Sequence, residues 1–227
     1  MTNPVRTELD SMVVEIELTL VSIIQGVALS FLIDSARHVM SMQKAVYWPY
    51  VLIGLLVILI FWSRSVLHII TVIRWPLEFG HNFLYIACAL VEALLFTQLN
   101  NPGGWFAFAA LFAAVGWLLF IYDLRLLRGR EKDSSSNASN RLFTLVTEDQ
   151  WRNIRFLLPG VLFLNVICVV CIRFWPDFFL IRNGHVWLAM VQLVGFSFYL
   201  LYVLRFFKTL APWIQRSREE RRNEAGQ

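Results

Sequence analysis

The sequence has 227 residues, of which 58% are hydrophobic, 15% are aromatic and only 16% are charged. Globular domains usually carry about 25% charged residues, so this composition excludes an ordinary water-soluble protein. The formal net charge is +4, but the Lys and Arg residues cluster between apolar runs and near the C-terminal end, which is not the pattern of a basic nucleic-acid-binding domain. We therefore expect the lipid bilayer, and no nucleic acid, as a partner.

Six apolar segments are long enough to cross a bilayer, whose hydrocarbon core of about 30 Å needs about 20 helical residues. They cover residues 13–33, 49–69, 80–99, 105–124, 155–174 and 186–206. The sequence thus predicts an all-α, polytopic membrane protein. Residues 1–227 form a single membrane domain, a bundle of six transmembrane helices.

The basic residues predict the orientation of this bundle. With a cytoplasmic N-terminus, most of the 20 Lys and Arg residues lie on the cytoplasmic side, as the positive-inside rule requires. We therefore predict that both the N-terminus and the C-terminus are cytoplasmic, in a cell inner (plasma) membrane of bacterial type.

Two polar segments are predicted to lie in the cytoplasm. Residues 129–152 begin with the Ser- and Asn-rich stretch GREKDSSSNASNR, which is typical of a mobile loop. Thr147 and Gln150 have the spacing of a capping box for the helix that enters span five. Residues 208–227 form a basic tail. The loop and the tail could both recruit a cytoplasmic protein.

Five small or polar residues share one face of span one, since each helical residue advances by about 100°. They are Glu15, Thr19, Ser22, Gly26 and Ser30. Such a stripe allows close packing of two helices, or it faces a hydrated pore. Both interpretations stay open at this stage.

Two glutamates, Glu15 and Glu17, lie within one turn of the predicted cytoplasmic interface, and Glu17 is on the face opposite the stripe. Arg64 on span two has nearly the same depth. An ion pair between neighbouring helices would leave neither charge alone in lipid, so we predict that Arg64 pairs with one of them. The alternative is a ring of Glu15 carboxylates around an oligomer axis, which would attract cations.

Span three carries a file of polar side chains. Glu92 lies near the middle of the span, and the other members share its face: His81, Tyr85 and Cys88. These residues could carry protons or line a water-filled path. Alternatively, a neutral Glu92 carboxyl donates a hydrogen bond to another helix.

Motifs of enzymes are absent from the sequence. The histidines His38, His68, His81 and His185 are scattered without H-E-x-x-H spacing, and neither G-x-S-x-G nor a P-loop nor G-x-G-x-x-G occurs. We therefore expect no enzyme activity, no catalytic residue, no cofactor and no metal site.

The sequence favours a homo-oligomeric ion channel or pore, with span one or span three lining the path. The alternative is a membrane-embedded scaffold or sensor that recruits a cytoplasmic partner through residues 129–152 and the basic tail. A secondary transporter is less favoured, because broken helices and inverted repeats are not evident in the sequence.

Overall fold

A computed structural model describes residues 4–41, 44–71, 79–132 and 137–225. Within these ranges the chain is helical and contains no β-strand, which confirms the predicted all-α class. The seven α-helices are α1 (Pro4–Ser41), α2 (Trp48–Thr71), α3 (Phe79–Phe96), α4 (Pro102–Lys132), α5 (Asn137–Arg152), α6 (Leu158–Phe174) and α7 (His185–Ala225). A 3₁₀ turn at Ala45–Tyr47 precedes α2, and π-helical turns lie at Asn153–Leu157 and Asp177–Ile181.

Within the described residues, six helical segments are long and apolar enough to cross a membrane. They are Ser11–Ser41, Ala45–Thr71, Phe79–Phe96, Pro102–Gly129, Asn140–Phe174 and His185–Ser217. Many large apolar side chains point outward; Phe83, Phe163 and Phe198 are each about 70% exposed. Side chains of this kind form contiguous outer surfaces where lipid replaces water. The protein is therefore a multi-pass membrane protein.

The segment predicted to be a mobile loop, residues 129–152, is largely helical, so that prediction was wrong. α4 continues to Lys132, and α5 begins at Asn137 and continues through the first π-helical turn into α6. The apolar face of α5, formed by Leu142, Phe143 and Val146, is buried against α4 and α7. Burial of this face outweighs the polarity that suggested a loop.

The predicted capping box is also absent, because Thr147 and Gln150 lie inside α5 and not at its start. The buried hydroxyl of Thr147 has no hydrogen-bond partner within the described ranges. At the other end of the chain, the predicted basic tail extends α7 as far as Ala225. The described parts of both polar segments are thus helical extensions of the spans.

Contacts between the helices close a ring. α1 packs against α2, α2 against α7, α7 against α5, and the continuous unit of α5 and α6 packs against α4. α4 packs against α3, and α3 packs against α1, which completes the ring. Side chains from all six spans therefore meet in the centre of the bundle.

The two ends of the bundle have different interiors. At the end where α3 leads into α4, here the α3/α4 end, a large apolar cluster includes Ile53, Phe96 and Trp105. Gly54 of α2 allows close approach there, because a Cβ atom at this position would lie 2.7 Å from Leu32 Cδ1. At the opposite end, here the α2/α3 end, a smaller apolar cluster surrounds polar groups.

Candidate functional site

The polar file predicted on span three lies inside the bundle. Its four members, His81, Tyr85, Cys88 and Glu92, are all buried, and Glu92 is 0% exposed. The rings of His81 and Tyr85 stack with their centroids 6.4 Å apart. Because the residues recur every three or four positions along α3, they face the same neighbours, α1, α2 and α4.

An amide from α1 joins this file to a second helix. Gln25 Nε2 lies 3.2 Å from Glu92 Oε2, to which it donates a hydrogen bond, and 3.4 Å from the Tyr85 hydroxyl. Gln25 Oε1 and Glu92 Oε1 are buried and have no hydrogen-bond partner within the described ranges. The sequence patterns did not indicate Gln25, because a single amide in an apolar run has no distinctive spacing.

A carboxylate and two imidazoles meet at the α2/α3 end. His81 Nδ1 lies 2.7 Å from Asp123 Oδ1, and His68 Nε2 lies 3.5 Å from the same oxygen. The two imidazole rings stack with their centroids 4.7 Å apart. His68 Nε2 lacks hydrogen-bond geometry toward any described group. His68, His81 and Asp123 come from α2, α3 and α4, so no local sequence motif could have found the cluster.

Arg64 pairs with a residue far away in the sequence, and its predicted pairing with Glu15 or Glu17 was wrong. Arg64 Nη1 lies 2.6 Å from Asp149 Oδ2, and Arg64 Nη2 donates a hydrogen bond of 3.2 Å to Gln150 Oε1. The helical form of residues 137–152 carries Asp149 into the bundle, which the predicted loop would not have done.

The Asp149 carboxylate is satisfied from several helices. The Tyr202 hydroxyl of α7 donates to Asp149 Oδ1, and Asn153 Nδ2 donates to Asp149 Oδ2 over 3.1 Å. Tyr199 in turn donates to Asn153 Oδ1 over 2.8 Å. Because both oxygens of the Asp149 carboxylate are hydrogen-bonded, the cluster joins α2, α5 and α7 as a structural clamp.

The two glutamates of span one have separate environments. Glu17 is buried, and its Oε1 accepts a hydrogen bond of 2.8 Å from Asn82 Nδ2 of α3. Glu15 is exposed on the outer surface of α1. The stripe that begins with Glu15 therefore faces away from the interior of its own bundle.

The other members of the stripe are likewise on the outside. Thr19, Ser22, Gly26 and Ser30 are exposed. The hydroxyls of Thr19 and Ser22 donate to the carbonyls of Glu15 and Leu18 over 2.9 and 2.8 Å. Hydroxyls bonded to their own helix are compatible with a lipid-facing or helix-facing surface. The stripe does not line a path within one bundle.

A small cavity lies beside the histidine and aspartate cluster. Its volume is about 30 Å³, and its lining includes Arg64, His68, His81, Tyr85 and Asp123. Apolar side chains form most of the remaining lining, and the cavity is large enough for one water molecule or one small ion. The cluster and the cavity thus make the part of the interior best suited to hold a metal ion.

The polar file is followed in the sequence by an apolar region. Glu92 is followed by Leu95, Phe96 and Leu99, which are at most 1% exposed and belong to the large apolar cluster. Polar contacts resume beyond it, where Trp105 Nε1 donates to Gln192 Oε1 over 2.9 Å and Gln192 Nε2 donates to Asn165 Oδ1 over 3.1 Å. These bonds join α4, α6 and α7.

No protein-family model, no curated protein and no solved structure matches this chain. The class of the protein follows from its own fold: a multi-pass membrane protein with six helices that can span a bilayer. Its interior holds a buried polar file that runs from His81 to Glu92.

Proposed function

We propose that the protein is an ion channel or pore of the inner (plasma) membrane that conducts cations through the interior of its helix bundle. The observation that carries this proposal is the buried polar file on α3, supplemented by Gln25 of α1 and Asp123 of α4. Ionisable residues inside a membrane protein are costly and typically mark paths for ions or protons.

The chemistry of the file favours cations. Its side chains present carboxylate, amide, hydroxyl and imidazole groups, and the two acids are Glu92 and Asp123. The buried Arg64 does not oppose a cation strongly, because the Asp149 carboxylate pairs with it at 2.6 Å. Acidic groups in a narrow path attract cations and repel anions.

The path in this proposal runs through each bundle, not around an oligomer axis. The ring of helix contacts encloses the polar file, whereas Glu15 faces outward. The apolar side chains after Glu92, Phe96 above all, would act as a gate, since apolar constrictions close channels by excluding water. The described conformation then corresponds to a closed state.

Ion flux from liposomes tests this function. We expect wild-type protein to release a potassium or proton gradient, and Glu92→Gln to change the rate at least about tenfold, because one carboxyl is lost from the path. Glu15→Gln is the matched control, since the same change on the exposed face of α1 should leave the rate unaltered. Liposomes that keep both gradients at every voltage and pH applied would contradict the proposal.

A scaffold or sensor is the second candidate, and the length of α7 favours it. α7 has 41 residues, about 60 Å at a rise of 1.5 Å per residue, twice the roughly 30 Å of a bilayer core. Its charged end could contact a cytoplasmic protein or anionic lipid. If deletion of residues 215–227 removes a co-purifying protein while ion flux is unchanged, the scaffold function gains support.

A further inference from the structure

We propose that His68, His81 and Asp123 form a binding site for one divalent transition-metal ion, with Zn²⁺ as the best match. Each residue offers one ligand atom, and these three atoms all lie within 4.8 Å of one another. The residues come from α2, α3 and α4, and all three are buried. The site does not depend on whether the bundle conducts ions.

The distances are close to those of a metal site. Zinc binds imidazole nitrogen and carboxylate oxygen at about 2.0–2.2 Å, which at tetrahedral angles places neighbouring ligand atoms about 3.4 Å apart. His68 Nε2 and Asp123 Oδ1 are already 3.5 Å apart, and His81 Nδ1 and Asp123 Oδ1 are 2.7 Å apart. Side-chain shifts of about 1 Å would therefore bring the ligands into coordination geometry.

Two further observations point to a ligand at this place. His68 Nε2 is a buried nitrogen without a hydrogen-bond partner within the described ranges, which is costly for a polar group. The cavity of about 30 Å³ borders all three residues. A metal ion in this space would give His68 Nε2 a direct ligand bond, where its 3.5 Å contact with Asp123 Oδ1 is not a hydrogen bond.

The charges also suit a divalent cation. Arg64 and Asp149 neutralise each other at a separation of 2.6 Å, which leaves the Asp123 carboxylate beside two imidazoles. A divalent ion would exceed this single negative charge by one, and a hydroxide in the fourth position of zinc would balance the excess. The competing arrangement is a proton on one imidazole, which satisfies Asp123 without any metal.

The chemical types of the three ligands determine which metal ions the site should bind. Two imidazoles and one carboxylate suit Zn²⁺, Fe²⁺ or Co²⁺, whereas Mg²⁺ and Ca²⁺ prefer oxygen ligands only. We expect Zn²⁺ and Co²⁺ to bind and Mg²⁺ not to compete. This preference separates a built site from nonspecific attraction of cations to an acid.

The test uses full-length purified protein, stripped with a chelator and freed of any histidine affinity tag, then loaded with Zn²⁺. We expect about one zinc per chain by elemental analysis, and two imidazole ligands with no sulfur by X-ray absorption, as this donor set requires. His68→Gln and Asp123→Asn should each weaken binding at least about tenfold. His185→Gln is the matched control, because His185 is buried but hydrogen-bonds to Tyr50 at the α3/α4 end.

Two results would overturn the site: no zinc retained by the wild type at saturating Zn²⁺, or unchanged affinity in both site variants. If Asp123→Asn aggregates, His68→Gln decides alone, since it removes a nitrogen that makes no hydrogen bond within the described structure. Zinc bound without ion flux supports the metal site and contradicts only the channel. Ion flux without zinc binding supports the channel and contradicts only the metal site.

Discussion

Arg64 of α2 and Asp149 of α5 form a buried ion pair with an N–O distance of 2.6 Å. The pair links a span to the segment whose composition suggested a loop. Since Tyr202 of α7 donates to the same carboxylate, three helices meet at this one group. The pair, together with the buried apolar face of α5, therefore attaches α5 to the rest of the bundle at the α2/α3 end.

Breaking this ion pair should destabilise the protein. We expect Arg64→Met or Asp149→Leu to lower the free energy of unfolding by about 3 kcal/mol, because each leaves one buried charge without its partner. The double variant should lose less than the sum of the two, since it leaves no uncompensated charge. Unfolding in mixed detergent micelles measures these differences.

Arg205→Met provides the control for the ion pair, because Arg205 is exposed on α7. Exposed charges contribute little to stability, so this variant should unfold within about 0.5 kcal/mol of the wild type. Equal effects of Arg64→Met and Arg205→Met would show that the buried pair has no special role in stability.

Close packing at Gly54 gives the second prediction. A Cβ atom at Gly54 would lie 2.7 Å from Leu32 Cδ1 and 3.2 Å from Phe96 Cε1. Gly54→Val should therefore lower stability by about 1–3 kcal/mol, the usual cost of overpacking. Gly195→Val, at a glycine with nothing within 4 Å of its Cβ position, should have little effect in the same unfolding measurement.

Melting temperatures above those of the wild type for Gly54→Val would contradict this packing arrangement. The comparison with Gly195 isolates the effect of space, because both glycines lie inside helices and both receive the same side chain. The intrinsic helix preference of valine over glycine is then common to the two variants.

The outward stripe of α1 gives the third prediction, which concerns the homo-oligomer expected from the sequence. A face with Ser22, Gly26 and Ser30 suits close contact with a helix of a second copy. We expect wild-type protein in detergent to exceed the 26.4 kDa mass of one chain, and Gly26→Ile to shift it toward the monomer. Light scattering that corrects for bound detergent measures the mass.

Gly116→Ile is the matched control for the stripe, because the Cβ position of Gly116 on α4 also has nothing within 4 Å. Its mass should equal that of the wild type. A wild-type monomer, or an oligomer that Gly26→Ile leaves intact, would contradict an interface on this face of α1.

Local patterns were sufficient for the six spans and for the polar face of α3. The apolar segments predicted from length and composition all correspond to helices that can span a membrane. His81, Tyr85, Cys88 and Glu92 share a buried face because helical periodicity fixes which residues lie together on one helix. Neither inference needed knowledge of neighbouring helices.

Interactions between helices could not be predicted in the same way. The sequence indicated Arg64 as one member of an ion pair, but its partner Asp149 lies 85 positions later. Asp149 is in a segment that was predicted to be a loop because of its polar composition, although it forms an amphipathic helix. Similarly, His68 and Asp123 form a cluster with His81 only because the packing of α2 and α4 against α3 places them side by side. Contacts at such separations depend on how the helices pack.

The sequence by itself determined that this protein is an all-α membrane protein, because the free energy of placing a segment in lipid depends on its own length and composition. It also determined which side chains share a helix face. Only the tertiary structure decided which faces point inward and which helices are neighbours, because those depend on the packing of side chains from all six spans at once. The buried polar file, the ion pair and the histidine and aspartate cluster therefore emerge from the bundle as a whole.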